Sequence, residues 1–85
     1  MFSIVKEYRE MVTDRFIDCD DVDEFNSESE AIKTATTLNQ TEAEAIASDS
    51  GIPMFTSYVI FSDSHDCIER EDLGFSWEHV LRRTI

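Results

Sequence analysis

Residues 18–30 hold seven acids, at positions 18, 20, 21, 23, 24, 28 and 30, and no base. No segment like this can enter a core, because an ionised carboxylate buried without a partner costs far more than a small domain can supply. It must lie on the surface, with Val22 and Phe25 as the only large side chains available to anchor it. The imbalance extends beyond the run. Nineteen Asp and Glu face seven Lys and Arg, for a net charge of −12 at pH 7. Between residues 18 and 63 there are eleven acids and a single base, Lys33, while the flanks carry the other six bases. Negative potential is therefore concentrated in the middle of the chain.

The remaining residues must enclose a core on which that surface can sit. Hydrophobic residues form 41% of the 85, including six Phe, two Tyr and one Trp. That suffices for one compact core and argues against global disorder. One domain over residues 1–85 is expected, near the lower size limit for folding without staples. So small a core leaves little room for an enclosed substrate cavity. Cys19 and Cys67 are too few and too far apart for a disulfide framework, which points to free, half-buried thiols in a reducing cytoplasm. The first eleven residues include Lys6, Glu7, Arg9 and Glu10 and have no signal-peptide core, and no apolar run reaches membrane-spanning length.

Local patterns predict a mixed fold. Ile4, Val5, Tyr8, Met11, Val12 and Phe16 fall on one stripe at helical period, with Ser3 as N-cap, so residues 3–17 are expected to be helical. Their β-branched and aromatic content keeps a strand open. Two capping boxes follow, Ser27 with Glu30 and Thr41 with Glu44. The first predicts a helix burying Ala31, Ile32, Ala35 and Leu38 and ending near Asn39. The second predicts a shorter helix with Ala43, Ile46 and Ala47 inward, closed by Gly51 and Pro53. Residues 54–61 form a buried strand, 62–66 a turn and 67–70 a short returning strand, with the N-terminal segment as the candidate third strand. Ser76 caps a last helix, with Phe75 and Val80 as a staple, Trp77, Val80, Leu81 and Thr84 on one face, and Arg82 and Arg83 at its C-terminal end. The expected fold is α+β: three to four helices packed on a short antiparallel sheet or hairpin.

Specific chemistries find little footing. An EF-hand loop counted from Asp18 puts Asp23 where glycine is needed and Ser29 where the bidentate glutamate belongs. A zinc site from Cys19, His65, Cys67 and His79 lacks any C-x-x-C spacing. His65 and Cys67 make a poor nucleophile pair, since Asp63, Asp66, Glu69 and Glu71 disfavour a thiolate. Two glycines in the chain exclude glycine-rich phosphate loops. Neither a cofactor, a metal nor an enzymatic reaction is expected.

The charge itself is the functional signal. Direct contact with nucleic acid or an anionic membrane is disfavoured, because like potentials repel. The natural partner is a basic protein, above all one with a groove built for nucleic acid, or a nuclease. A compact acidic body can occupy such a groove by imitating the phosphates of a short duplex. In size and charge the chain resembles the small acidic DNA-mimic inhibitors that bacteriophages direct against restriction systems and other host proteins. It also resembles immunity proteins or antitoxins that neutralise basic toxins, and an acidic structural or accessory subunit is a third class. The expected partner-binding residues are Asp18, Asp20, Asp21, Asp23, Glu24, Glu28, Glu30, Glu42, Glu44 and Asp49. A mimic should gather its carboxylates on one face in two rows, and a homodimer would lengthen the imitated duplex.

Overall fold

The computed structural model describes residues 1–82. In chain order it contains β1 (Phe2–Glu10), β2 (Phe16–Phe25), α1 (Glu28–Thr41), β3 (Ala45–Ala47), β4 (Pro53–Ser62), β5 (Cys67–Ile68), a 3-10 turn (Arg70–Leu73) and α2 (Trp77–Arg82). The five strands form one antiparallel sheet in the order β2-β1-β4-β3, with β5 also pairing β4. β1 runs beside the full length of β4, from Phe2 opposite Ser62 to Glu10 opposite Met54. The N-terminal segment is thus the third strand that the hairpin required. β3 and β5 share the other side of β4, at opposite ends.

The class is α+β, but the expectation of three to four helices is wrong: the described residues hold two α-helices, α1 of 14 residues and α2 of six. Residues 3–17 are not a helix. Ile4 and Val5 point to opposite faces of a central strand, and both are buried. A strand covered on both faces loses its alternation and can mimic a helical stripe. The distal part of that stripe is not in the core, since Val12 lies in the β1–β2 turn and is 83% exposed. The helix expected from Thr41 and Glu44 is also absent. Thr41 ends α1, with its hydroxyl donating to Thr37 O at 2.8 Å, and residues 45–47 instead satisfy the edge of β4. Gly51 does adopt a positive φ of 79°, but in the turn between β3 and β4 rather than behind a helix.

The first capping box does act as an N-cap: Ser27 Oγ accepts from Glu30 N at 3.4 Å. Glu28 and Glu30 in the first turn also suit the positive end of the helix dipole. From there α1 lays Ala31 and Ala35 against Ile4, Tyr58 and Ile60 of the sheet and against Leu73. A second cluster joins Phe55, Ala43 and Val80, with Phe75 packed against it. Ser76 Oγ accepts from Glu78 N at 3.2 Å at the start of α2, as its capping role requires. Arg83 and Thr84, expected on this helix, lie outside the described residues.

Asn39 does not end α1; it sits within the helix, fully buried. Between β3 and β5, part of the β4 edge has no strand beside it. There the Asn39 side chain takes the strand's place. Its Oδ1 accepts from Tyr58 N at 2.7 Å, and its Nδ2 donates to Tyr58 O at 3.0 Å and to Leu73 O at 2.9 Å. The far end of the sheet is tied by Arg70, which donates to both Asp14 carboxylate oxygens at 2.9 and 2.7 Å and lies over the rings of Phe55, Phe75 and Trp77. Asp14 stands in the β1–β2 turn with a φ of 60°, a left-handed conformation that aspartate tolerates better than most residues. Its hydrogen bond from Arg70 holds its carboxyl below the usual carboxylate range.

Candidate functional site

The acidic run is a strand. Residues 16–24 of β2 are all exposed and only Phe25, half-buried, packs against the core. Such a sequence has poor intrinsic β preference; pairing with β1 imposes the conformation. The register slips twice, between Ile4 and Val5 and between Tyr8 and Arg9, so that Val22 and Ile17 of β2 have no opposite residue. Val22, expected as an anchor, is instead 43% exposed at the first of these bulges.

β2 is a terminal strand of the sheet, yet its outer edge is blunted. Bulges twist an edge away from regular pairing. In addition, Asp18 Oδ1 accepts from Cys19 N at 2.8 Å, and Asp23 Oδ1 accepts from Glu24 N at 2.8 Å. Two backbone donors of β2 are thus occupied by the strand's own carboxylates. The edge is built to present side chains rather than backbone.

Cross-strand partners share a face. Asp18, Asp20 and Asp23 pair with Tyr8, Lys6 and Ile4 and so lie on the face that carries α1, while Asp21 and Glu24 pair with Val5 and Ser3 and lie on the opposite face. From residue 18 to 24 the strand covers roughly 20 Å at ~3.4 Å per residue. Its five carboxylates thus average about 5 Å of strand each, three on one face and two on the other, against about 3.4 Å of axis per phosphate along one DNA strand. Glu28 and Glu30 continue the series into α1, and Glu30 shares a shallow groove with Phe25, Lys33, Thr34 and Thr37.

Glu42 and Glu44 lie apart from this edge, between the end of α1 and β3. They line a small depression with Lys6, Thr41 and Tyr58. Because Lys6 stands opposite both Asp20 and Tyr58, its strand separates the β2 carboxylates from Glu42 and Glu44. The floor between the two rows is Lys6, Tyr8 and Tyr58. Tyr8 donates to Asp20 at 2.9 Å, and that bond raises its phenol pKa. Burial, together with nearby Glu42, pushes the Tyr58 phenol up to about 12. The Lys6 ammonium lies 5.3 Å from the Tyr8 ring centroid, a cation in the middle of an acidic trough. Asp49 is exposed in the β3–β4 turn, at the other side of the sheet.

Seven of the ten expected residues thus run along β2 into α1, two form a second row, and Asp49 stands away from both. The single face foreseen for all of them is not observed, since an edge strand sends alternate side chains to both sides. A helical reading of residues 3–17 gives Lys6 and Tyr8 no common face with the acids, and a buried strand over residues 54–61 does not place Tyr58 beside them. Period-two spacing of Lys6 and Tyr8 was the available signal.

Other candidate groups are dispersed. Cys19 on β2 and Cys67 on β5 are both exposed, not half-buried. Desolvation raises the Cys67 thiol pKa, with Glu69 and Glu7 adding to the effect. Among the described residues no three His, Cys, Asp or Glu side chains are grouped to hold a metal ion. No helix among them is long and apolar enough to cross a membrane.

These features define an α+β chain with an acidic, self-capped sheet edge. No family model, curated protein or solved structure matches it.

Proposed function

We propose that this protein is an acidic inhibitor that binds the nucleic-acid groove of a basic protein in the cytoplasm, acting by occupancy rather than catalysis. The observation that carries the reading is the linear charge of β2: five carboxylates on seven consecutive residues of an exposed strand whose backbone edge is blunted. An edge partly closed to strand addition leaves its charge as the main feature a partner can recognise. The second row at Glu42 and Glu44 supports the same reading, since a duplex presents phosphates on both sides of a groove.

A toxin-neutralising protein would bind through a few exposed aromatic anchors, for which Phe25, Tyr58 and Trp77 are the candidates. Tyr58 is buried in the core, Phe25 packs against it, and Trp77 stacks on Phe55 with ring centroids 4.5 Å apart. Tyr58 and Phe25 are used within the chain, and Trp77 is the one of the three that stays exposed, at 41%. No cluster of free aromatic anchors is presented, which favours the electrostatic reading.

The test is capture of basic nucleic-acid-binding proteins on immobilised protein, followed by elution with salt or with duplex DNA. Capture should weaken steeply between low and high salt and be displaced by the duplex. The triple variant Asp20→Lys, Asp21→Lys, Glu24→Lys should lose capture by at least tenfold while keeping its circular dichroism. Capture that resists both salt and DNA, or that survives in this variant, contradicts the proposal.

A further inference from the structure

The two terminal strands of the sheet differ in kind. β2 is bulged, carboxylate-covered and partly self-capped, whereas β3 is Ala45-Ile46-Ala47, with neither bulge nor charge within it. Glu44 O accepts from Thr56 N at 2.9 Å and Ser48 N donates to Ile52 O at 3.1 Å. Residues 44, 46 and 48 therefore bond inward to β4, and alternation along an antiparallel strand turns the N–H and C=O of Ala45 and Ala47 outward. Among the described residues no strand pairs with that outer side. An apolar groove of about 580 Å³ wraps the same edge, lined by Met11, Ala45, Ile46, Ala47, Pro53 and Leu81. Leu81 is 59% exposed.

We infer that β3 is the dimerisation edge: a second copy pairs with it antiparallel about a two-fold axis at Ile46, joining two sheets into one. A two-fold register suits a second copy. With Ile46 opposite its symmetry mate, Ala45 of one copy faces Ala47 of the other, and the four outward backbone groups of each copy meet their complements. The same register sets Glu44 opposite Ser48 and Asp49 opposite Ala43, so no carboxylate of these strands faces another. In a chain of net charge −12 this neutral stretch is where two copies can approach without opposing like charges. The Met11 and Leu81 side chains of each copy would then close over the Ile46 pair. β2 lies at the far end of each sheet, so the acidic edges stay exposed.

Sedimentation velocity over a concentration series tests this. The wild-type chain should pass from monomer to a species of twice the mass as concentration rises. Added salt should strengthen the association by screening the net charge. Capture of a basic partner changes with salt in the opposite direction, so the two ideas fail separately. Ala47→Pro removes an outward donor, and Leu81→Lys places a charge in the groove; each should weaken dimerisation at least tenfold. Leu81 is exposed, so Leu81→Lys carries the test if Ala47→Pro does not fold. A wild-type chain that stays monomeric to its solubility limit overturns the inference, as does a dimer that Leu81→Lys leaves at full strength.

Discussion

Asn39 makes three hydrogen bonds from a fully buried position, and none of its partners has an obvious substitute. Tyr58 N and O both face a stretch of β4 that lacks a neighbouring strand, so removing the amide leaves them buried and unpaired. Leaving a buried polar group unsatisfied costs about 1–3 kcal/mol. Asn39→Leu is therefore expected to destabilise the fold by about 2–4 kcal/mol, a loss that urea unfolding will register as a lower midpoint. Gly74 is constrained in a different way: its φ is 72°, and a Cβ there would stand 2.7 Å from Thr36 Cγ2 of α1. The turn after Leu73 can approach the helix only because that side chain is missing. Neither role is legible in the sequence. Asn39 is a common helix-stop residue and Gly74 a common turn residue, and both roles depend on neighbours far along the chain.

At the scale of elements, β2 is where sequence and tertiary structure pull hardest against each other. Its aspartates disfavour a strand, and the pairing with β1 overrides them. Two of those aspartates then become part of the strand's protection, by accepting from the N–H groups of Cys19 and Glu24. Exposed edges with free donors and apolar side chains recruit other chains. Phe16, Ile17 and Val22 are all exposed on this strand, so the risk is present. The double variant Asp18→Ala, Asp23→Ala frees both donors and removes two charges. It should aggregate severalfold faster than wild type on mild heating, followed by light scattering, with little loss of helical circular dichroism. If aggregation is unchanged, the self-capping contributes nothing to edge protection. The elements that could be read in advance were those with local signatures: the Ser27 cap of α1, the apolar run of β4 and the Ser76 cap of α2. β1 has helical spacing because a strand covered on both faces loses its alternation, and β3 reads as helix because an alanine-rich run has the composition of one.

For the whole molecule, the dominant unfavourable feature is the net charge of −12. Repulsion among like charges weakens the compact state, and salt screens it over about 8 Å at physiological ionic strength. Raising salt at pH 7 should therefore stabilise the chain, by about 5 °C in Tm for each kcal/mol recovered. A midpoint that falls with added salt would mean that the local ion pairs outweigh the repulsion. Acid acts through a particular pair. Arg70 holds the Asp14 carboxyl below its ordinary value of 3.8, so the unfolded chain binds this proton more readily than the folded one. The stabilisation is complete above the ordinary carboxylate range and is lost as pH falls through the depressed folded value. Unfolding midpoints measured downward from pH 5 should drop less steeply in Asp14→Asn than in wild type.

The amino-acid sequence alone determined the charge, its concentration between residues 18 and 63, the surface location of the acidic run and the strand at residues 54–61, because composition and local periodicity do not depend on distant contacts. Tertiary structure decided that the acids would stand on a sheet edge with alternate side chains on opposite faces. It also decided that residues 2–10 would be a central strand, and that Asn39 would take the place of a missing one. These outcomes follow from which backbone groups find partners across the fold, and a strand's partners are set by segments remote in the chain.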